Sequence, residues 1–127
     1  MMAQRIETEW ITVDAARTRA YAVLTDDYNP IHLDEGFAAR TPLGRPIAHG
    51  TLSMAHLLRL LDGILGRDAM MVGEVLIRFR APVYVETRVR AVVERGDADA
   101  PFELRVERED GTVALSGSFI PGPGAEA

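Results

Sequence analysis

The sequence has no cysteine and no lysine. The first absence excludes thiol nucleophiles, thiolate metal sites, disulfides and iron–sulfur clusters. The second excludes Schiff-base chemistry and a P-loop lysine. All 14 basic residues are arginine, which we attribute to the base composition of the gene. No apolar run approaches the ~20 residues of a membrane span. The opening residues MMAQRIETEW hold no apolar stretch of the kind a secretory signal needs. A cytoplasmic protein without membrane attachment is therefore expected. Acidic residues outnumber basic ones 19 to 14, for a net charge of −5. That balance argues against sequence-independent nucleic-acid binding, which rests on neutralising phosphates. The expected ligand is a small molecule, another protein or a carrier-linked acyl group.

Apolar residues make up 47% of the chain and charged residues 26%, the composition of a globular domain. A chain of 127 residues matches one domain of ordinary size and buries enough surface to need no disulfide or metal staple. We expect a single domain over residues 1–120, followed by a disordered tail, PGPGAEA, over 121–127.

The β-branched and aromatic run ETEWITV predicts a short strand over 7–13. Asp14 then caps a helix running to about Leu24, with Ala15, Ala16, Ala20, Tyr21 and Leu24 on its apolar face. Residues 25–30 have turn composition, and Pro30 disfavours helix at Asn29. One or two helical turns are expected over 34–40, and a loop over 41–47. From Gly50 to Leu65 the chain is apolar around most of a helical cylinder, as in a buried helix. Only Ser53, His56 and Arg59 form a polar line, and Gly66 stops the helix.

The period then changes from 3.6 to 2. Odd positions from Val75 to Val93 are mostly apolar and even positions are mostly charged, the pattern of strands with one wet face. Pro82 breaks this run. Gly96 to Asp99 reads as a turn, Asp110-Gly111 as a tight hairpin, and the flanking segments alternate again. Strands with one apolar face must bury it, and the long helix is the only partner large enough. The expected fold is α+β: a curved antiparallel sheet of about five strands wrapped around a long central helix, the hot-dog arrangement.

Two segments carry candidate chemistry. In Asp27-Tyr28-Asn29-Pro30-Ile31-His32 a carboxylate and an imidazole stand five residues apart across a proline-stiffened turn. Hydrogen-bonded together they form an acid–base pair, in which the carboxylate orients a ring that titrates near neutral pH. Asn29 suits the turn by bonding its own backbone. By spacing alone, an Asx-turn followed by a satisfied histidine is the better explanation of the segment. In Ile47-Ala48-His49-Gly50 the buried helix begins, and its N-terminus offers unpaired N–H groups to a polarised carbonyl. A glycine chosen only for tight packing explains Gly50 as well.

Taken together, Leu24 to His32, with Ala38 six residues beyond the histidine, resembles the hydratase motif of the MaoC-like family, which includes (R)-specific enoyl-CoA hydratases. Ile-Ala-His-Gly at 47–50 resembles its second signature, and Pro82-Val83-Tyr84-Val85 after Arg78-Phe79-Arg80 resembles its later strand. The similarity runs from about Tyr21 to about Val93. It implies a hot-dog domain, usually a homodimer, acting on a trans-2-enoyl thioester of coenzyme A or acyl carrier protein in fatty acid metabolism. By analogy Asp27 and His32 activate water for C3 and handle the proton at C2. Gly50 N–H holds the thioester oxygen, and Asn29 and Pro30 hold the catalytic loop. His49 packs beside the site. No metal or redox cofactor is implied. His49 and His56 stand ~10 Å apart along a helix, and no HExxH is present.

The chain departs from the family pattern at three places. Asp26 replaces the usual glycine, Glu86-Thr87 replaces a common Gly-Asp, and Leu58 stands where some hydratases carry a serine. Among the arginines, Arg78, Arg80, Arg88 and Arg90 are candidates for coenzyme A phosphates, although a wet sheet face already explains their spacing. The acyl chain is expected among Leu52, Met54, Leu57, Leu58, Met70 and Met71. Competing readings are a hot-dog acyl thioesterase and a non-catalytic acyl-binding or partner subunit.

Overall fold

The computed structural model describes residues 4–122. The opening segment forms two strands where one was expected, β1 (Gln4–Glu7) and β2 (Ile11–Val13). Thr8 accounts for the break. Its backbone N–H donates to the Ala91 carbonyl at 2.9 Å and its hydroxyl accepts the Ala91 N–H at 3.0 Å. The chain stays tethered there while Glu9 and Trp10 leave the ladder. Asp14 then caps α1 (Ala15–Thr25), accepting the Arg17 N–H at 2.7 Å. The face of α1 that enters the core is not the expected one. Thr18 and Ala22 are buried, and Leu24 is 80% exposed. Thr18 tolerates burial because its hydroxyl donates to the Asp14 carbonyl at 2.9 Å.

Two short helices follow, α2 (Pro30–Leu33) and α3 (Glu35–Ala39). The long helix α4 (Gly50–Leu65) has the expected bounds, and Gly66, at φ 88°, ends it. A further helix not legible in the period, α5 (Arg67–Val72), fills the gap before β3 (Glu74–Phe79), β4 (Thr87–Arg95), β5 (Phe102–Arg108) and β6 (Val113–Ile120). The sheet has six antiparallel strands rather than about five, in the order β1–β4–β5–β6–β3, with β2 also paired to β4. Leu57 and Leu61 of α4 pack on Val89, Val106, Leu115 and Phe119. This is a long helix against an open antiparallel sheet, the hot-dog arrangement.

In β4 Val89, Ala91 and Val93 face the core, and Val92, of the opposite register, is buried as well. Alternation fails in β3, where Val75 and Phe79 are exposed. The reason is position: β3 is the sheet edge beyond β6, and among the described residues no strand pairs with its outer side. The outer face of the sheet carries paired charges. Arg88 meets Glu109 at 2.8 Å and Arg90 meets Glu107 at 2.9 Å. Arg105 and Arg90 together hold the Glu107 carboxyl below its usual range.

After β3 the chain leaves the ladder around Pro82, and this detour places the site. Ala48 N–H donates to the Val83 carbonyl at 2.7 Å, and Val85 N–H to the Pro46 carbonyl at 3.1 Å. Segment 46–48, which leads into α4, is thereby fastened to the sheet. Pro121 and Gly122 follow β6, and Gly122 sits against the Val72 carbonyl. The rest of the expected disordered tail, residues 123–127, lies outside the described residues. Among the described residues, no helix is long and apolar enough to cross a membrane.

Candidate active site

The site begins where α1 ends. Asp26 takes a left-handed conformation, φ 54° and ψ 37°, and the Asp27 N–H closes onto the Ala22 carbonyl at 3.1 Å. Glycine adopts this conformation freely, which explains the glycine that the family motif carries at this position. A left-handed non-glycine residue costs about 1–2 kcal/mol, and glycine returns part of that as extra chain entropy. Asp26→Gly is therefore expected to raise stability by about 0.5–1 kcal/mol. Urea unfolding checks this; an unchanged or lower midpoint would mean that the Asp26 side chain makes a compensating contact.

Asn29 and Pro30 then build the turn. The Asp27 carboxylate accepts the Asn29 N–H at 3.2 Å, and the Asn29 side chain accepts the Ile31 N–H at 3.1 Å as the N-cap of α2. Proline suits the first turn of a helix because it has no N–H to lose there. One turn later His32 emerges half-buried. Its Nδ1 lies 2.7 Å from the Ile47 carbonyl oxygen. The ring is thus oriented by a main-chain carbonyl and not by the Asp27 carboxylate. This corrects the hydrogen-bonded Asp27–His32 pair expected from spacing. The Ile47 N–H to Ile31 carbonyl bond, 3.2 Å, brings segment 47 alongside α2 and makes that carbonyl the nearest acceptor.

His49, the N-cap of α4, is only 2% exposed. Its Nε2 lies 3.0 Å from the Asp27 carbonyl oxygen. Carbonyl oxygens only accept, so in the neutral rings His32 carries its hydrogen on Nδ1 and His49 on Nε2. The two imidazoles stack at 3.9 Å between centroids and 28° between planes, and the Tyr21 ring meets His49 edge-on at 5.1 Å. The Asp27 carboxylate and one nitrogen of each imidazole lie within 4.8 Å of one another. These are metal-ligand residue types. The near-parallel stack is poorly suited to a single ion, which must lie close to both ring planes to meet both lone pairs.

Gly50 opens α4, where backbone N–H groups are unpaired by helix geometry. A β-carbon here would lie 2.9 Å from the Phe79 ring, so a larger residue requires that exposed side chain to shift. Beside Gly50 opens a cavity of about 340 Å³, lined by Ile47, His49, Ser53, Phe79, Val83 and Leu115 among others. Another cavity, of about 420 Å³, reaches His32 together with Arg19, Arg45 and Glu86. The stacked imidazoles stand between the two.

None of Leu52, Met54, Leu57, Leu58, Met70 and Met71 lines the cavity at Gly50. Leu57 is fully buried in the core and Met71 is 78% exposed. Ser53, buried one turn after Gly50, was the residue to seek, because positions three apart share a helix face. His56 lies away from the site, bonded to the Thr8 hydroxyl at 3.2 Å, and burial lowers its pKa. Arg80 donates to the Ser116 hydroxyl.

Fold and site together define a hot-dog domain with a carboxylate and two histidines gathered at the N-terminus of its long helix. Residues 1–115 match the family described as MaoC like domain, and the chain belongs to that family. It is 36% identical over 115 residues to the (R)-specific enoyl-CoA hydratase of Aeromonas caviae, covering 84% of this chain and 83% of that protein. It is 36% identical over 91 residues to 3-hydroxyacyl-thioester dehydratase Z of Mycobacterium tuberculosis H37Rv, covering 67% of this chain and 59% of that protein. The solved structure of the (R)-hydratase from A. caviae involved in PHA biosynthesis superposes with a TM-score of 0.73 at 32% identity, over 97% of each chain.

Proposed function

We propose that this protein is an enoyl thioester hydratase, a hydro-lyase that equally runs as a 3-hydroxyacyl thioester dehydratase. The observation that carries this reading is the meeting of Asp27 and His32 around His49, which together with Gly50 at the start of α4 lines a cavity. The substrate is a trans-2-enoyl group on coenzyme A or acyl carrier protein. Water attacks C3 as Asp27 or His32 takes one of its protons. The C2=C3 electrons move toward the thioester oxygen, where the Gly50 N–H stabilises the developing negative charge. The protonated member of the pair then delivers a proton to C2. Every atom is accounted for and no oxidation state of the substrate changes overall, so acid–base groups suffice without a metal or redox cofactor. A cytoplasmic location belongs to the same proposal, placing the enzyme with its carrier-linked substrate.

The test is to mix the protein with crotonyl-CoA and follow loss of the conjugated enoyl thioester absorbance. Loss of absorbance with no free thiol supports hydration. Release of free thiol would make the protein a thioesterase. Binding without turnover on short, long and acyl-carrier-protein-linked enoyl groups would make it an acyl-binding module.

A homodimer is also proposed. Edge strand β3 exposes Val75, Leu76 and Phe79, and Met71, Val72 and Ile120 are exposed as well. An unpaired apolar edge of this kind is covered by pairing with a second copy. Light scattering at micromolar concentration should give twice the 13.9 kDa chain mass. A monomeric mass contradicts the dimer.

A further inference from the structure

We infer that His49 is the positioning residue of this site, a single buried side chain that holds Asp27 and His32 in one geometry. Its Nε2–H donates to the Asp27 main-chain carbonyl at 3.0 Å, and its ring face stacks on His32 at 3.9 Å. These residues sit on different elements, the turn after α1 and helix α2, with no hydrogen bond recorded between the two side chains among the described residues. His49 is the piece they share. It is itself fixed at three points: by the start of α4, by the Tyr21 ring edge, and by burial to 2% exposure.

The other ring nitrogen identifies why histidine is needed. His49 Nδ1 is buried and meets no hydrogen-bond partner among the described residues. A buried acceptor without a donor lowers stability. Phenylalanine fills a similar plane, stacks on His32, and removes that unpaired nitrogen. What it lacks is the Nε2–H that ties down Asp27. Histidine at this position therefore trades fold stability for a fixed distance between the carboxylate and the second imidazole. A residue kept only for packing has the opposite character.

The two roles separate in two variants. Glutamine extends its amide N–H to the position of Nε2, so His49→Gln retains the tie to Asp27. His49→Phe retains the stack and loses the tie. In His49→Phe, kcat for enoyl thioester hydration is expected to fall about tenfold to a hundredfold with KM within about twofold, because misplacement of a reacting group by about 1 Å has effects of this size. Its thermal midpoint should equal or exceed that of the wild type. His49→Gln should recover most of kcat. If His49 serves only as packing, kcat tracks the midpoint and Gln fares no better than Phe; that pattern overturns the inference.

A second readout needs no turnover. The Asn29 and Ile31 amides are held by the Asp27 and Asn29 side chains. Their hydrogen exchange should quicken about tenfold or more in His49→Phe and stay near wild type in His49→Gln. Equal exchange in all three proteins overturns the inference even if activity changes. The rate effect rests on the hydratase reading and the exchange effect does not. Wild type without hydratase activity, but with the expected exchange pattern, would overturn that reading and leave the positioning role supported.

Discussion

Asp27→Asn and His32→Ala are each expected to lower kcat/KM for enoyl thioester hydration about a thousandfold, the scale of a lost general acid–base group. That factor corresponds to about 4 kcal/mol of transition-state stabilisation. Asparagine is the informative replacement at position 27. Its side-chain oxygen still accepts the Asn29 N–H, now 3.2 Å from the carboxylate, so the turn persists. Only the charge and the basicity go. The exposed position of Asp27 keeps the stability change small, and the thermal midpoint should move by no more than a few degrees. His32→Ala removes both the proton-carrying ring and its tether to the Ile47 carbonyl, so a modest loss of stability accompanies the loss of rate. Steady-state kinetics with crotonyl-CoA provide the check. A variant retaining activity within tenfold of wild type would remove its residue from the reaction.

The second large effect concerns the fold. Gly117→Ala is expected to destabilise the protein by about 3 kcal/mol, the upper range for overpacking a closed site. Gly117 lies in β6, paired with Ile77 of β3 on one side and Leu104 of β5 on the other. A β-carbon there would overlap the Leu76 carbonyl oxygen and reach the Ile77 side chain at 3.0 Å. The obstacle is backbone, which no rotamer change relieves. The edge strand β3 must separate from β6, and β3 also carries Phe79 of the cavity at Gly50. Urea unfolding measures the loss, with Gly63→Ala as the control. Gly63 lies in α4, and a β-carbon there meets nothing within 4 Å. Alanine at that position should stabilise by about 0.5–1 kcal/mol. A Gly117→Ala loss under about 1 kcal/mol would show that the β3–β6 pairing is looser than its register implies.

Much of this architecture was open to reading from residue patterns. Asp14 and Gly66 punctuate helices as their chemistry requires, and α4 spans the expected sixteen residues. The period of 2 identified the strand-rich second half. It misjudged β3, because alternation reports a strand's chemistry and not its place in a sheet. The interruption at Thr8 was equally hidden, since it depends on Ala91, 83 residues away.

The site divides along the same line. Asn29 and Pro30 are legible as turn-formers, and Gly50 as the start of α4, because capping, turn entropy and helix initiation act within a few residues. The family resemblance named Asp27 and His32 as the candidate pair. Which atoms hold the imidazoles was not legible. A ring nitrogen bonds whatever acceptor folding brings nearest, and here these are the carbonyls of Ile47 and Asp27. His49 therefore reads as a neighbour in sequence and as a tie in three dimensions. Short-range chemistry settles most of the elements, and the family motif names the candidate reactive residues. Long-range packing settles their partners, because hydrogen bonds and ring stacks form between segments whose approach no local pattern encodes.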